Sequence, residues 1–239
     1  MKITLNLEKT SSQDISIMVD AFRASTSITV AMDKFNQVIP AFTPEEAEEI
    51  SKNTNGVLAG ERMGVKIDGF DIGNSPVDIK NFDTKSDTLV LTTSNGTRIL
   101  ENMNSTILIG CFINAKAVAE TSLKILKKNN FSHIDIVMAG WKGNFAIEDF
   151  LASGEILYWI CKKMEKTNDN SSDFEISKYA QSAILASRDE KKVKMVISNT
   201  RSSNRLKKLG YQKDIDFSLQ KNISDNVAIY KKGVLKLIK

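Results

Sequence analysis

The sequence predicts an α/β fold: alternating strands and helices, layered α/β/α around a mixed or largely parallel sheet. Three observations carry this. Apolar segments of strand length alternate with amphipathic segments of ten or more residues, the mark of βαβ units. Strand-like segments such as DTLVLTT are apolar almost to their ends, which suits strands covered on both faces. And 41% of the 239 residues are apolar, enough for a real core, without any run near the ~18 residues a membrane-spanning helix needs.

The elements follow in order. ITLNL and ISIMVDA are strands. STSITVAMDKF is a helix, with Ser25 or Thr26 as its cap. QVIPAF is a strand. TPEEAEEISKN is a helix with Thr43 as N-cap, Pro44 in the first position and Glu46 in the third, a capping box. GVLAG is a short strand ending at Glu61, and DTLVLTT is a buried one. NGTRILENM is a short helix, STILIGCF a strand and INAKAVAETSLKILKKN a long amphipathic helix. HIDIVMAG is a strand, followed by the helix AIEDFLASGEILYWICKKM. Beyond the polar stretch MEKTNDNSSD come two helices, EISKYAQSAILASRDE and KMVISNTRSSNRLKKLG, the second closed by Gly210. NVAIYKKGVLKLIK is a hairpin turning at Lys232-Gly233. The chain is read as one α/β domain over 1–239, with two joined lobes, about 1–115 and 116–239, as the alternative.

Composition excludes several chemistries. With His133 the sole histidine, HExxH zinc sites and histidine-rich dinuclear centres are ruled out, and no G-x-S-x-G elbow is present. Cys111 and Cys161 sit in no metal-ligand spacing and are expected as free thiols. The net charge of +4 comes largely from lysines on helix-like and tail segments, without interleaved aromatics, so neither nucleic acid nor membrane is expected as a partner. MKITLNLEKT lacks the parts of a signal peptide, so the expected compartment is the cytoplasm. The oligomeric state is not fixed, and a homodimer stays open.

Polar residues gather at strand ends. ISIMVD stops at Asp20, GVLAG at Glu61-Arg62, TLVLTT at Thr93, Ser94, Asn95, Gly96, Thr97 and Arg98, and DIVMAG runs through Gly140 toward Glu148 and Asp149. In open α/β sheets, ligands bind beyond the carboxyl ends of strands, where helix N-termini favour anions. Four strand ends with the same chemistry point to one shared pocket. GERMGVKIDGFDIGNSP adds Asp68, Asp71, Asn74 and Ser75 and concentrates four of the chain's twelve glycines. That concentration suits irregular backbone pressed on a ligand. TTSNGTR resembles a phosphate cradle but is no Walker loop. Each feature has a purely structural alternative. Asp20 could cap a helix, Arg23 could pair with a carboxylate, Glu148 and Asp149 could complement a helix dipole, and Cys111 reads as core.

VDAFRAST, GERMGVKIDGFDIGNSP, LTTSNGTR, CFINAKAVA and MAGWKGNFAIEDFLASGEI, in this order, resemble the 2-phosphosulfolactate phosphatases. The resemblance is strong over roughly 15–160 and looser around SNTRSSNRLKKLGYQKDIDF. It departs at Phe22, where a smaller aliphatic residue is expected, and at Met138, where cysteine is common. It implies an α/β fold of its own type and a Mg²⁺-dependent phosphatase. The implied reaction converts (2R)-phospho-3-sulfolactate to 3-sulfolactate, an intermediate of coenzyme M biosynthesis. Carried over by motif, the site includes Asp20, Arg23, Glu61, Arg62, Asp71, Asn74, Ser75, Thr93, Asn95, Thr97 and Asp149.

The expected roles are as follows. Asp20, Glu61 and Asp71 hold Mg²⁺. Arg23 and Arg62 grip phosphate or sulfonate, helped by Asn74, Ser75 and the N–H groups after Thr93 through Ser94 to Thr97. Asp20, Glu61 and Asp149 form the catalytic set, with Asp20 or Asp149 activating water or attacking phosphorus. Two alternatives remain: a non-catalytic binder of a phosphorylated or sulfonated small molecule, and a phosphatase for another phosphorylated 2-hydroxy acid.

Overall fold

The computed structural model describes residues 1–94, 99–100, 103–166 and 174–238. In chain order the elements are β1 (Lys2–Leu7), β2 (Ile15–Val19), α1 (Ala24–Ala31), β3 (Gln37–Ala41), α2 (Pro44–Thr54), β4 (Val57–Arg62), β5 (Val65–Lys66), α3 (Pro76–Asn81), β6 (Thr88–Thr92), β7 (Thr106–Gly110), α4 (Ala115–Asn129), β8 (His133–Met138), α5 (Ile147–Lys166), β9 (Glu175–Ile176), α6 (Lys178–Ala186), α7 (Glu190–Ser198), α8 (Arg201–Lys208), α9 (Gln212–Ser218), β10 (Ala228–Lys231) and β11 (Val234–Leu237). Among the described residues the strands form one eleven-stranded sheet, ordered β5-β4-β6-β3-β11-β10-β7-β2-β8-β1-β9. No helix there is long and apolar enough to cross a membrane.

The sheet is mixed in a particular way. β4, β6 and β3 run parallel to one another, and so do β7, β2, β8 and β1. Between these halves sits the C-terminal hairpin, antiparallel to β3 on one side and to β7 on the other. Its turn has positive φ at Lys232 (49°) and Gly233 (81°), the conformation of a two-residue primed turn. Six strand steps separate β4 from β2. At roughly 20–25° of rotation per step, strand directions turn by more than a right angle. The carboxyl ends of the two halves thereby swing toward one another.

Apolar residues alternate between the faces as the pleat requires. Ile15, Ile17 and Val19 of β2 pack under α4, α5 and α6, while Met18 faces the opposite layer with Ile28 of α1 and Ile79 of α3. A third cluster, Ala41, Ala47, Phe70 and Val90, seats α2. Close approach of α5 to α6 depends on Gly154, where a Cβ would collide with the carbonyl oxygen of Ala183. Cys111 and Cys161 are free thiols, as expected.

Local signals explain the helix starts. Thr43 caps α2 by accepting from the Glu46 N–H, and the Glu46 carboxylate accepts from the Phe42 N–H. Ser75 caps α3 ahead of Pro76. Three expectations need correction. Neither Ser25 nor Thr26 caps α1: Ser25 Oγ accepts from the Asp20 N–H, and Thr26 Oγ1 donates to the Ala21 carbonyl. EISKYAQSAILASRDE is not helical from its start, because Glu175 and Ile176 pair with β1 and Ser177 caps α6. KMVISNTRSSNRLKKLG is two helices, because Thr200 Oγ1 accepts from the Ser203 N–H and opens α8 anew. The helix expected over NGTRILENM lies largely outside the described residues.

Candidate active site

One cavity of about 530 Å³ lies where the strand ends meet. Asp20 after β2, Glu61 in β4, Thr93 and Ser94 after β6, and Glu148 at the start of α5 all line it. Asn74, Arg23, Gly64, Trp141 and the Asn144–Ile147 segment complete that side, and Thr200, Arg201, Ser202 and Arg205 form the opposite wall. It falls within the size range of small-molecule sites.

The carboxylates are held by backbone donors. Asp20 is 7% exposed, and its Oδ1 accepts from the Ala24 N–H at 3.3 Å, leaving Oδ2 without a hydrogen bond among the described residues. Glu61 accepts from the Gly64 and Ser94 N–H groups, one on each oxygen. The β4–β5 turn that brings Gly64 under it needs φ of +84° at that glycine. Glu148 is buried, lines the cavity and accepts no hydrogen bond among the described residues. Asp149 is buried behind it, with Oδ1 accepting from the Ala21 N–H at 2.8 Å and Oδ2 from the Gly140 N–H at 2.9 Å. It therefore ties the end of β2 to the end of β8 and does not line the cavity.

The arginines divide differently from expectation. Arg23 Nη1 donates to Asp214 Oδ2 at 2.7 Å and Nη2 to the Gly64 carbonyl at 3.2 Å, with its guanidinium 4.5 Å above the Tyr211 ring. Ser75 Oγ donates to the other oxygen of Asp214 at 2.7 Å. Arg62 folds back on the carbonyls of Glu61 and Phe42 and on Thr92 Oγ1, and does not line the cavity. Asp71 is exposed and accepts from the Leu58 N–H at 2.8 Å, also outside the cavity. Asn74 is 3% exposed and lines the cavity, with no partner for Oδ1 among the described residues. Asn95, Gly96 and Thr97 lie outside the described residues.

A model of the 2-phosphosulpholactate phosphatase family matches residues 2–233. The chain belongs to this family. Among its relatives, the 2-phosphosulfolactate phosphatase of Methanothermobacter thermautotrophicus is 42% identical over 238 residues, all of this chain and 96% of that protein. The 2-phosphosulfolactate phosphatase of Methanocaldococcus jannaschii is 32% identical over 234 residues, 95% of this chain and 93% of that protein. A probable 2-phosphosulfolactate phosphatase of Clostridium tetani is 37% identical over 226 residues, 92% and 91% of the two chains.

In this member of the 2-phosphosulpholactate phosphatase family, crowding of the acids has a clear electrostatic result. Burial, with the charges of Glu61 and Glu148 added, pushes the Asp20 carboxyl up to about 7. Burial and the charges of Asp20 and Glu148 likewise hold Asp149 well above the usual carboxylate range. Desolvation outweighs Arg23 at Asp214, which is also raised. Three acidic side chains facing one space suit a hard cation, since Mg²⁺ takes one or two carboxylates with waters and substrate oxygens. Among the described residues no group of three or more His, Cys, Asp or Glu side chains is arranged so that it could hold a metal ion.

Sequence reasoning did not single out Asp214, Trp141, Arg201 or Arg205. The signal for Asp214 was absent, since DIDF carries no motif. For the arginines, the Thr200-Arg-Ser-Ser capping pattern was available, because it places Arg201 at a helix start.

Proposed function

We propose that this protein is a Mg²⁺-dependent phosphatase that hydrolyses 2-phospho-3-sulfolactate to 3-sulfolactate and phosphate in the cytoplasm, as a step of coenzyme M biosynthesis. The observation that carries the reading is the Asp20 carboxylate, buried in the cavity with one oxygen uncommitted, beside Glu61 and Glu148. The names of the relatives support the substrate.

Glu61 and Glu148 are the residues that would hold the cation, with Asp20 at their side. Bound there, Mg²⁺ would neutralise phosphate charge and lower the pKa of a water. Asp71, expected as a ligand, is supplanted in this reading by Glu148. Asp20 serves as proton acceptor for the attacking water through its second oxygen, which accepts no hydrogen bond among the described residues. Asp149 fixes the Ala21 and Gly140 N–H groups and so holds Asp20 on its strand end. The Thr93–Ser94 corner meets the anionic oxygens of the substrate, while Asn74 Oδ1, an acceptor, suits the attacking water or the cation.

The test is release of inorganic phosphate from phosphosulfolactate and a panel of other phosphorylated 2-hydroxy acids, with Mg²⁺ and with EDTA. Turnover that needs the cation and favours phosphosulfolactate is expected. Binding of 3-sulfolactate without phosphate release from any ester would make the protein a binder instead.

A further inference from the structure

We propose that Arg201 and Arg205, on the wall opposite the carboxylates, form the subsite for the sulfonate of the substrate and set the preference for sulfonated over sulfonate-free phosphate esters. This deepens the phosphatase reading above and rests on it.

The assignment begins with which cations are free. Arg23 is committed to Asp214, and Arg62 to carbonyl oxygens. Arg201 and Arg205 both line the cavity, and neither makes an ion pair or hydrogen bond among the described residues. They are four residues apart on α8, so they share one helical face. The Arg201 guanidinium lies 4.4 Å from the centre of the Trp141 ring, which holds the planar group against the wall. The Arg205 stem packs beside Gly64 at the β4–β5 turn. An outer hollow of the same helix, formed by Arg201, Asn204, Arg205 and Lys208, extends the positive field into solvent. Asn74 Oδ1, in a side chain 97% buried and without a partner among the described residues, is an acceptor and so suits a water or the cation on the acidic side rather than an anion.

The chemistry of the two anions decides which end each takes. A phosphate ester is close to a dianion at neutral pH and binds hard cations well, so it belongs with Glu61 and Glu148. A sulfonate is the conjugate base of a strong acid. It is a monoanion with weakly basic oxygens, a poor metal ligand, and is never protonated near neutrality. Beside three carboxylates it would be repelled, but guanidinium forks match its paired oxygens. The two walls therefore sort the two ends of one small molecule by charge and basicity.

The experiment compares kcat and KM for phosphosulfolactate and for 2-phospholactate, which lacks the sulfonate, in wild type, R201Q, R205Q, the double variant and R205K. Calorimetric binding of 3-sulfolactate is measured on the same proteins. In the double variant, the ratio of kcat/KM for the sulfonated over the sulfonate-free ester should fall at least about tenfold, mostly through KM. Affinity for 3-sulfolactate should fall by a similar factor, and R205K should recover only part of the loss. Equal falls for both esters, or unchanged sulfolactate binding, would overturn the subsite. If wild type releases phosphate from neither ester, the phosphatase reading fails while calorimetry still decides the subsite.

Discussion

The two walls of the cavity are built by opposite means. On the acidic side, carboxylates stand at or beside strand ends, and Asp20, Glu61 and Asp149 are gripped by backbone N–H groups between 2.5 and 3.3 Å. On the basic side, two arginines stand on an eight-residue helix with mostly exposed charged residues, and among the described residues neither guanidinium makes an ion pair or hydrogen bond. Of the groups assigned to the chemistry, Asp20 and Glu61 stand at strand ends and are tied to backbone N–H groups, while Glu148 opens α5. Groups that recognise a remote anion sit where side chains can adjust. The difference teaches that preorganisation is concentrated where charge changes during the reaction.

The strongest way to break this comparison is Asp20→Asn. Phosphate release should fall by about 10²–10⁴, and turnover within tenfold of wild type would end the assignment of Asp20. The same change should stabilise the fold at alkaline pH. With its folded pKa raised to about 7, Asp20 holds a proton in the native state that the unfolded chain releases near 3.8. Stability therefore declines as pH rises across that window, by an order of a few kcal/mol above pH 7. The variant should show a higher Tm than wild type at pH 8 and little difference at pH 4, without added cation.

Next is Asp214→Ala, which leaves Arg23 buried and unpaired. A loss of about 3 kcal/mol in urea unfolding is expected, against about 0.5 kcal/mol or less for R201Q on the other wall. Comparable losses for the two would show that the walls do not differ in this way. The smallest effect should come from Asp71→Ala. It removes a carboxylate that caps the Leu58 N–H, at a cost of about 1 kcal/mol. Its cation requirement, read as the Mg²⁺ concentration for half-maximal rate, should match that of wild type. A tenfold rise would return Asp71 to the metal shell.

Much of the first wall was legible in the sequence. An apolar strand that runs into Asp20 or Glu61 signals a pocket, because a carboxylate at the edge of a core needs donors, and strand ends supply them. Direction was not legible. Arg62 adjoins Glu61 in sequence, yet its side chain turns back to the Phe42 carbonyl, a choice set by tertiary neighbours. The second wall hid inside SNTRSSNR, because Val193 and Ile197 before it and Leu206 after it continue an apolar pattern and disguise the restart at Thr200. The Lys232-Gly233 turn announced a hairpin, but nothing local could say that it pairs with β3 and β7, which lie more than a hundred residues upstream.

That hairpin has a consequence for how the protein comes into being. The strands latest in the chain occupy the middle of the sheet, with Glu61 and Thr93 in the half on one side and Asp20 and Glu148 in the half on the other. Each half can form its own parallel ladder, but the hydrogen-bonded sheet runs across both only when residues 228–237 have paired. A chain cut short before Ala228 would expose two open strand edges and separate the acids. Pairing of this hairpin thus completes the sheet whose two halves carry the acids to one cavity.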